Sequence, residues 1–373
     1  MSGPIPWTER KTRWRGALDL LSGAYPAFVF GAPVGRQVPV FHFHEVTAAC
    51  LEPYLRYLDE NGYRTVTADA VARWVRSGSH PGPRSVALCF DDAWASVWTV
   101  AAPLLRRYGF QAITFAIPGR VQDAAAVRPT LDDPAGAPPQ ADTSDVPFAT
   151  WPELRALHDS GVVDVQAHTF AHAVVACDPG ITGFVTPGYA PHIHMRPGLA
   201  GPPQARFLGA ADLGAPLHPV RSRMSDALRY DDTEAREACM VHVRQQGGSA
   251  FFERAGWEAE LRALAAAHPG RLESEAEREA AILEDLTAAR DILNAQLRTT
   301  VVRHLCFPWA VAGKVAEACA QKAGYETAYA DALWGRHAAR AGGAPYRIMR
   351  LKHKFIHCLP GAGRRPFHEV FRA

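Results

Sequence analysis

The sequence predicts an α/β fold built from parallel strands. Two observations favour this class: short apolar runs of strand length alternate with amphipathic stretches that have helical spacing, and several of these stretches end at a glycine. Strands that alternate with helices form parallel βαβ units, either in an open sheet or in a barrel. The length of 373 residues is sufficient for one large α/β barrel or for two domains of medium size.

The elements predicted up to residue 172 alternate regularly. Apolar runs of strand length lie at 38–43, 85–90, 111–117 and 162–167. Between them, helical spacing is found at 49–62, 68–78, 94–109 and 150–161. The last of these helices has proline in its first turn and glycine at its end, which is the usual distribution of the two residues in a helix.

The regular alternation stops after His172. Residues 173–270 begin with a segment rich in proline and glycine and continue with stretches of helical spacing. We therefore expect 1–36 to form an N-terminal extension, and 37–373 to form a barrel that a long, partly helical insertion at 173–270 interrupts. Long loops in compact enzymes are often binding elements, so the insertion is a candidate lid or substrate-binding subdomain. A decoration without a catalytic role is the alternative.

The alternating pattern resumes after the insertion. Ser274 and Glu277 have the spacing of a capping box that opens a long helix, and the apolar residues that follow fall on one helix face, namely Ile282, Leu286, Ala289 and Leu293. Strands are expected at 301–307 and 346–351, with a helix and a further short strand between them.

Composition narrows the function classes. With 48% hydrophobic and 21% charged residues, the chain has the composition of a soluble globular enzyme. A net charge of +2 gives no electrostatic reason to expect nucleic acid or an anionic membrane as a partner. The seven cysteines are scattered and form no CxxC pair, which argues against a disulfide framework and against a cysteine-rich zinc site. Because no apolar stretch has the length of a membrane span and the start is polar, without a signal-peptide pattern, we expect a cytoplasmic protein.

Polar residues follow two of the predicted strands directly. Asp91 and Asp92 come after the run 85–90, and His168 and His172 come after the run that ends at residue 167. The carboxyl ends of parallel strands carry the active sites of such folds, and a buried carboxylate is costly unless it is paired or bound to a metal.

These residue types suggest a metal centre with a base beside it. Two imidazoles and one carboxylate form a facial set for a catalytic divalent metal, and the second carboxylate can then accept a proton. The alternative stays open, because an adjacent aspartate pair is more often a helix cap with a solvated neighbour, and a lone HxxxH spacing is a weak metal signal.

Three segments carry a resemblance to a known family. "LCFDDAW", "TWPELRALHDSGVVDVQAHTFAH" and "HLCFPWA" resemble successive motifs of the polysaccharide deacetylases, that is, the NodB homology domain of carbohydrate esterase family 4. The resemblance covers most of 37–172 and 274–356. It implies a distorted (β/α) barrel that removes acetyl groups from sugars with a bound divalent metal, commonly zinc. Within the family, "VPVFHFHEV" is similar to the poly-N-acetylglucosamine deacetylase branch, in which the corresponding strand ends in Tyr-His.

The resemblance implies a role for each matching residue. Asp91 matches the general base, and the expected metal ligands are Asp92, His168 and His172. The backbone N–H of Trp309, which stands at a position usually held by tyrosine, would help to hold the oxyanion. The implied general acid is His44, and His42 on the same strand face is the weaker candidate.

Several positions depart from the family pattern. Ala93 replaces the usual glycine after the aspartate pair, and Cys306 stands where many members have an arginine that orients the base. Arg350 resembles the arginine that the branch places on its last strand. His353 could match the histidine of a late Leu-x-His motif and is then a rival acid; alternatively, 351–355 is an edge strand with solvated bases.

Other aromatic and histidine residues have simpler interpretations. Trp94 and Trp98 are one helical turn apart and are most simply core residues, although the aromatic face of Trp94 could also contact a sugar ring. Loop histidines in the insertion are more typical of the surface than of a metal site, and these are His192, His194 and His218.

The sequence thus predicts a metal-dependent hydrolase that removes an N-acetyl group from an N-acetylated sugar or glycoconjugate. The implied reaction uses a metal-activated water as nucleophile, with Asp91 as base and His44 as acid. A cytoplasmic location would favour a nucleotide-linked, lipid-linked or small sugar over an extracellular polymer. The alternatives are hydrolysis of a non-sugar amide or C–N bond on the same barrel, and a metal-free binding module.

Overall fold

The structure is a computed structural model that describes residues 26–133, 147–331 and 341–372. These residues form two compact units. The barrel unit contains the described parts of Arg10–Phe170 and Ala320–Ala373 together with Leu286–Val311, and the second unit contains Ala171–Asp285 and Ala312–Cys319. The proposed division into an extension, a barrel and an insertion at 173–270 stays a prediction, and residues 1–25 of the extension lie outside the described residues.

The strands are numbered in chain order. The first five belong to the barrel unit and are β1 (Val40–Phe43), β2 (Arg64–Thr65), β3 (Ser85–Asp92), β4 (Ala112–Ala116) and β5 (Val163–Ala167). The next eight belong to the second unit and are β6 (Val174–Ala176), β7 (Gly183–Phe184), β8 (Gly198–Ala200), β9 (Arg206–Phe207), β10 (Pro216–Leu217), β11 (Val220–Ser222), β12 (Tyr230–Asp231) and β13 (Arg271–Leu272). The last four return to the barrel and are β14 (His304–Cys306), β15 (Thr327–Asp331), β16 (Ile348–Met349) and β17 (Leu351–Lys352).

The barrel strands pair in the order β16-β15-β14-β5-β4-β3-β1-β17, with β2 also paired to β3. Every pair in this sheet is parallel. β16 and β17 lie at opposite ends of this order, yet Arg350 alone separates them in the chain, so the sheet curves into a nearly closed barrel. The predicted barrel is confirmed, but the single strand predicted at 346–351 is wrong because the chain changes partner strand at Arg350.

Nine α-helices are found among the described residues: α1 (Ala48–Glu60), α2 (Ala68–Ser77), α3 (Ala102–Arg107), α4 (Trp151–Asp159), α5 (Thr233–Gln245), α6 (Trp257–Ala266), α7 (Glu275–Leu297), α8 (Lys314–Lys322) and α9 (Phe367–Arg372). No described helix is long and apolar enough to cross a membrane. The long helix predicted at 94–109 instead starts with a π-helical segment, Val97–Ala101, before α3.

The start of α7 has the predicted capping box. The backbone N–H of Ser274 donates to Oε2 of Glu277 at 2.7 Å, and the backbone N–H of Glu277 donates to Oγ of Ser274 at 3.2 Å. The predicted apolar face of this helix is fully buried, as expected for Ile282, Leu286, Ala289 and Leu293.

The interior of the barrel is filled by alternate side chains of its strands. One buried cluster joins Val40, Ala87, Cys89 and Phe115 with residues of the later strands, Cys306, Tyr329 and Ile348. Because successive side chains of a strand point to opposite faces, His42 and His44 continue the inward face of β1 and Asp91 continues that of β3. The sequence thus directs these polar groups to the end of the apolar interior.

The second unit has a core of its own. Short antiparallel pairs join β6 with β11, β7 with β10, β8 with β9 and β12 with β13. Helices α5 and α6 lie where helical spacing was predicted. Cys239 of α5 and Leu261 of α6 belong to one buried cluster, which also contains Phe184 and Phe251. The strands of this unit are two or three residues long, so they show no periodicity from which they could be predicted.

Candidate active site

Strand β3 ends in two buried carboxylates that have different partners. Asp91 is 2% exposed, and its Oδ1 accepts a hydrogen bond of 2.5 Å from Nη1 of Arg350, which is also buried. Burial alone would raise the pKa of Asp91, but the Arg350 charge, followed by nearby histidines, lowers it to about 2. Asp91 is therefore ionised at neutral pH, and one of its oxygens is fixed by the guanidinium.

Asp92 lies beside His168. Its Oδ1 is 3.4 Å from Nε2 of His168, and its Oδ2 accepts a hydrogen bond of 3.0 Å from the indole N–H of Trp94. Nδ1 of His168 is 2.7 Å from the carbonyl oxygen of Cys306. Because a carbonyl can only accept, Nδ1 carries the proton and Nε2 has the lone pair. The histidine thus presents a ligand nitrogen on the side of Asp92.

The loop after β5 also carries His172. The donor atoms of Asp92, His168 and His172 lie within 4.8 Å of one another, and all three residues are buried. In a tetrahedral zinc site with ligands at about 2 Å, neighbouring donors are roughly 3.3 Å apart. The 3.4 Å between Oδ1 of Asp92 and Nε2 of His168 is close to this spacing. The three residues therefore have the donor types of a divalent metal site, and their donor atoms lie close together.

Strand β1 brings two histidines to Asp91. β1 pairs with β3 in a register that sets His42 opposite Cys89, so that His44 lies beside Asp91 two residues further on. Nε2 of His44 is 3.7 Å from Oδ2 of Asp91, and the His44 side chain is 56% exposed. The ring of His42 lies 5.5 Å from that of His44. A solvent-accessible imidazole is therefore close to the carboxylate oxygen that Arg350 does not hold.

His353 is in a different environment from His44. Its ring stacks on Phe43 at a centroid distance of 4.7 Å and meets the edge of Tyr54 at 5.2 Å. Because side chains alternate along β1, Phe43 faces away from the side that carries His44. Burial lowers the pKa of His353, so it is not a solvated base at an open edge.

Left-handed backbone conformations are concentrated in the loops that carry these residues. Eight described non-glycine residues have a positive φ, and six of them lie in these loops: Asp92 (68°), Ala93 (53°), Thr169 (62°), His172 (50°), Trp309 (54°) and Ala310 (59°). Such strain is typical of functional sites. It also explains why glycine is usual where Ala93 stands, since glycine adopts this conformation without steric cost.

Cys306, which replaces an arginine of the family pattern, lies next to Asp91 and His168. Burial raises the pKa of its thiol well above the ordinary value, so the thiol stays protonated and is a poor metal ligand. The guanidinium that contacts Asp91 comes instead from Arg350, as the resemblance implies.

Three side chains have environments that the sequence does not predict. Trp94 is half-buried rather than a core residue, and it donates to Asp92. The expectation that His194 lies on the surface is wrong: it is 6% exposed, and its ring centroid is 4.3 Å from that of His172. The side chain of His218 is buried as well, beside Asp232. The HxH spacing of "PHIH" was the one available signal for His194.

Known proteins are similar to this chain in sequence and in fold. Residues 78–180 match the family model described as polysaccharide deacetylase. Two relatives named poly-beta-1,6-N-acetyl-D-glucosamine N-deacetylase, from Escherichia coli K12 and O157:H7, are each 25% identical over 190 residues. Each match covers 50% of this chain and 26% of the relative, so the chain matches about a quarter of these proteins.

The fold has a solved counterpart. The deacetylase domain of BpsB from Bordetella bronchiseptica superposes with a TM-score of 0.52 at 18% identity, covering 86% of this chain and 97% of that domain. This likeness supports the NodB-type barrel, and the family model covers the segment that contains the aspartate pair and both histidines. Residues 78–180 therefore resemble the polysaccharide deacetylases, and the chain is similar in sequence to two poly-N-acetylglucosamine deacetylases and in fold to a third deacetylase domain.

Proposed function

We propose that this protein is a metal-dependent hydrolase that removes the N-acetyl group from an N-acetylated sugar or glycoconjugate. The observation that carries the proposal is that two adjacent carboxylates have different partners: Asp91 accepts a hydrogen bond from Arg350, and Asp92 lies beside two histidines. The Escherichia coli relatives are named for deacetylation of poly-β-1,6-N-acetylglucosamine, so an N-acetylglucosamine unit is the proposed sugar.

The proposed metal is Zn²⁺, held by Asp92, His168 and His172. A carboxylate and two neutral imidazoles suit this ion, and burial lowers the pKa of His168, which keeps its ring neutral. Bound there, the metal would supply Lewis-acid chemistry for the acetyl carbonyl and would make a nearby water more acidic. The hydrogen bonds to Trp94 and to the Cys306 carbonyl would fix two of the ligands in orientation.

Asp91 is the proposed general base. Its low pKa keeps it ionised, and Arg350 holds Oδ1, so Oδ2 is the oxygen that can accept the proton of the attacking water. The arginine therefore acts as a positioning residue. Fixing one oxygen restricts the rotation of the carboxylate, which keeps the other oxygen aimed at the place where the proton is released.

His44 is the proposed general acid, which would protonate the leaving amine. It lies 3.7 Å from Asp91 and is exposed to an incoming sugar, whereas His353 stacks on Phe43. The backbone N–H of Trp309 is the proposed donor to the oxyanion, since a backbone donor does not depend on the identity of the side chain.

An acetate-release assay tests the function. Purified protein would be stripped with a chelator, reloaded with Zn²⁺, and incubated with N-acetylglucosamine oligomers, the monosaccharide and a simple N-alkylacetamide. The proposal predicts zinc-dependent acetate release that is fastest on a sugar substrate. Release from the acetamide without release from any sugar would favour a non-sugar amidohydrolase, and absence of both metal binding and hydrolysis would favour a binding module.

A further inference from the structure

We infer that His42, His44 and Asp91 form a second, weaker binding site for a divalent metal, and that an ion bound there inhibits the enzyme. The donor atoms of these three residues lie within 4.8 Å of one another. The set has the same composition as the proposed catalytic set, with two imidazoles and one carboxylate. The end of the barrel therefore has two sets of zinc-type donors, one on each residue of the adjacent aspartate pair.

The strand geometry brings the second set together. His42 and His44 are separated by one residue on β1, so their side chains leave the same face of the strand. Asp91 reaches them from the neighbouring strand, with Oδ2 at 3.7 Å from Nε2 of His44. Donors of a tetrahedral zinc ion are roughly 3.3 Å apart. Small side-chain rotations that move these two atoms closer by a few tenths of an ångström would therefore allow both to bind one ion.

The donor atoms have lone pairs to offer. Arg350 uses Oδ1 of Asp91, and Oδ2 is turned towards His44. Among the described residues, the buried Nδ1 of His42 has no hydrogen-bond partner.

Charge explains why the second ion binds more weakly than the first. The Arg350 guanidinium lies 2.5 Å from Asp91 and repels a cation at this carboxylate. A metal held by the neighbouring Asp92 would add a further repulsion across a short distance in a partly dry site. The two sites should therefore fill in sequence, the catalytic one first.

The inhibitory consequence rests on the proposed function. An ion bound to Oδ2 of Asp91 takes the lone pair that accepts the proton of water, and an ion bound to His44 removes its ability to donate a proton. Both proton-transfer groups are then blocked by one ligand. His42 has no part in the proposed reaction, so it is the residue that separates metal inhibition from catalysis.

Zinc titration followed by calorimetry and by elemental analysis tests the site. The variants are His42→Phe, which keeps an aromatic ring at this position, and His357→Phe, a matched replacement of a half-buried histidine outside both sets. Wild type and His357→Phe should bind one tight and one weaker equivalent. His42→Phe should keep the tight equivalent and should bind the weaker one at least about 100-fold less well. Loss of a residue that only hydrogen-bonds to a metal ligand costs about 10–100-fold in affinity, and loss of a ligand itself should cost more.

The same titration separates the two proposals. In Asp92→Ala the tight equivalent should be lost, while the equivalent that depends on His42 remains. With the most active substrate, zinc inhibition should appear at the concentration that fills the weaker site, and it should be absent in His42→Phe. A wild-type protein that binds a single equivalent up to millimolar zinc would overturn the second site, as would a second equivalent that persists unchanged in His42→Phe. If the wild type binds no tight equivalent of zinc, the proposed catalytic metal is overturned instead.

Discussion

The two ends of the barrel contain the same kinds of side chain but leave different groups available. Each end has a carboxylate that contacts an arginine and lies near a histidine; these are Asp91, Arg350 and His168 at the carboxyl ends of the strands and Asp69, Arg303 and His304 at the amino ends. From residue types alone, either end could be chosen as the functional one.

At the amino ends, every polar group of the network has a partner within the protein. His304 is fully buried; its Nδ1 is 2.8 Å from Oγ1 of Thr327, and its Nε2 is 2.8 Å from Oδ1 of Asp69. Arg303 donates to the other oxygen of Asp69 at 2.8 Å. Both ring nitrogens and both carboxylate oxygens are thus used, which is the arrangement of a structural network.

At the carboxyl ends, one atom of each of two groups has a fixed hydrogen-bond partner in the barrel. His168 is anchored through Nδ1, and Asp91 is anchored through Oδ1. Six of the eight described left-handed non-glycine residues lie in the loops at the carboxyl ends, and the other two, Arg84 and Arg298, precede β3 and β14. Asp69 and His304 have ordinary backbone conformations. On the proposed function, the two ends therefore differ in that the carboxyl ends carry the proposed metal ligands and most of the strained backbone.

The largest expected effect is on metal binding. Replacing Asp92, His168 or His172 with alanine should abolish stoichiometric zinc and hydrolysis, because each removes one of three protein ligands. His304→Ala serves as the matched control: it should lower the free energy of unfolding but retain zinc. Elemental analysis after gel filtration measures both sets. Full zinc in the three ligand variants would remove the proposed distinction between the two histidine environments.

Asp91→Asn should give the next largest effect. The change is nearly isosteric and leaves the three metal ligands in place, so zinc should stay while kcat falls by roughly two to four orders of magnitude, the usual worth of a positioned base. Asp69→Asn is the control at the other end, and its kcat should stay within about twofold of wild type because Asp69 is remote from the reacting groups. A kcat for Asp91→Asn close to that of wild type would mean that another group accepts the proton. Urea unfolding of both variants checks that a loss of activity is not a loss of fold.

Much of this arrangement is predictable from the sequence. The alternation of apolar runs with helical spacing predicts parallel βαβ units, and the resemblance to the polysaccharide deacetylases predicts that they form a barrel. The position of Asp91, Asp92 and His168 directly after the predicted strands indicates the end at which they meet. What escapes prediction depends on long-range pairing or on dihedral angles. The break of the last strand at Arg350 follows from barrel closure, and the bond from Trp94 to Asp92 follows from a backbone turn at Ala93. Neither leaves a periodic signal.

A smaller effect is expected from pH at the amino ends. The hydrogen bond from His304, followed by that from Arg303 and opposed by burial, lowers the pKa of Asp69 below its ordinary value of 3.8. A carboxyl group with a lower pKa in the folded state stabilises the protein above its unfolded-state pKa, and this contribution is lost as the pH falls through the folded-state value. Because Asp69 is partly exposed, solvent screening reduces the size of the contribution.

The measurement compares wild type with Asp69→Asn. Urea unfolding at pH 6 should show the wild type as the more stable protein. The difference should shrink at pH 3 and below, because the carboxyl group takes up a proton in the unfolded chain at a higher pH than in the folded protein. A difference in the free energy of unfolding that is constant between pH 6 and pH 2 would mean that the pair with His304 does not depend on the charge of Asp69.

The smallest expected effect tests the backbone strain at the site. Ala93 is fully buried with a φ of 53°, and Ala95, two residues on, is buried with an ordinary backbone conformation. Ala93→Gly and Ala95→Gly both remove a buried methyl group and both increase the freedom of the unfolded chain. They differ in that the first also removes the steric cost of a left-handed residue with a side chain, which is about 1–2 kcal/mol. We therefore expect Ala93→Gly to be more stable than Ala95→Gly by about that amount in chemical unfolding, with zinc binding retained in both. Equal stabilities would mean that the loop holds residue 93 in this conformation without strain, and the contrast between the two ends of the barrel would then rest on coordination alone.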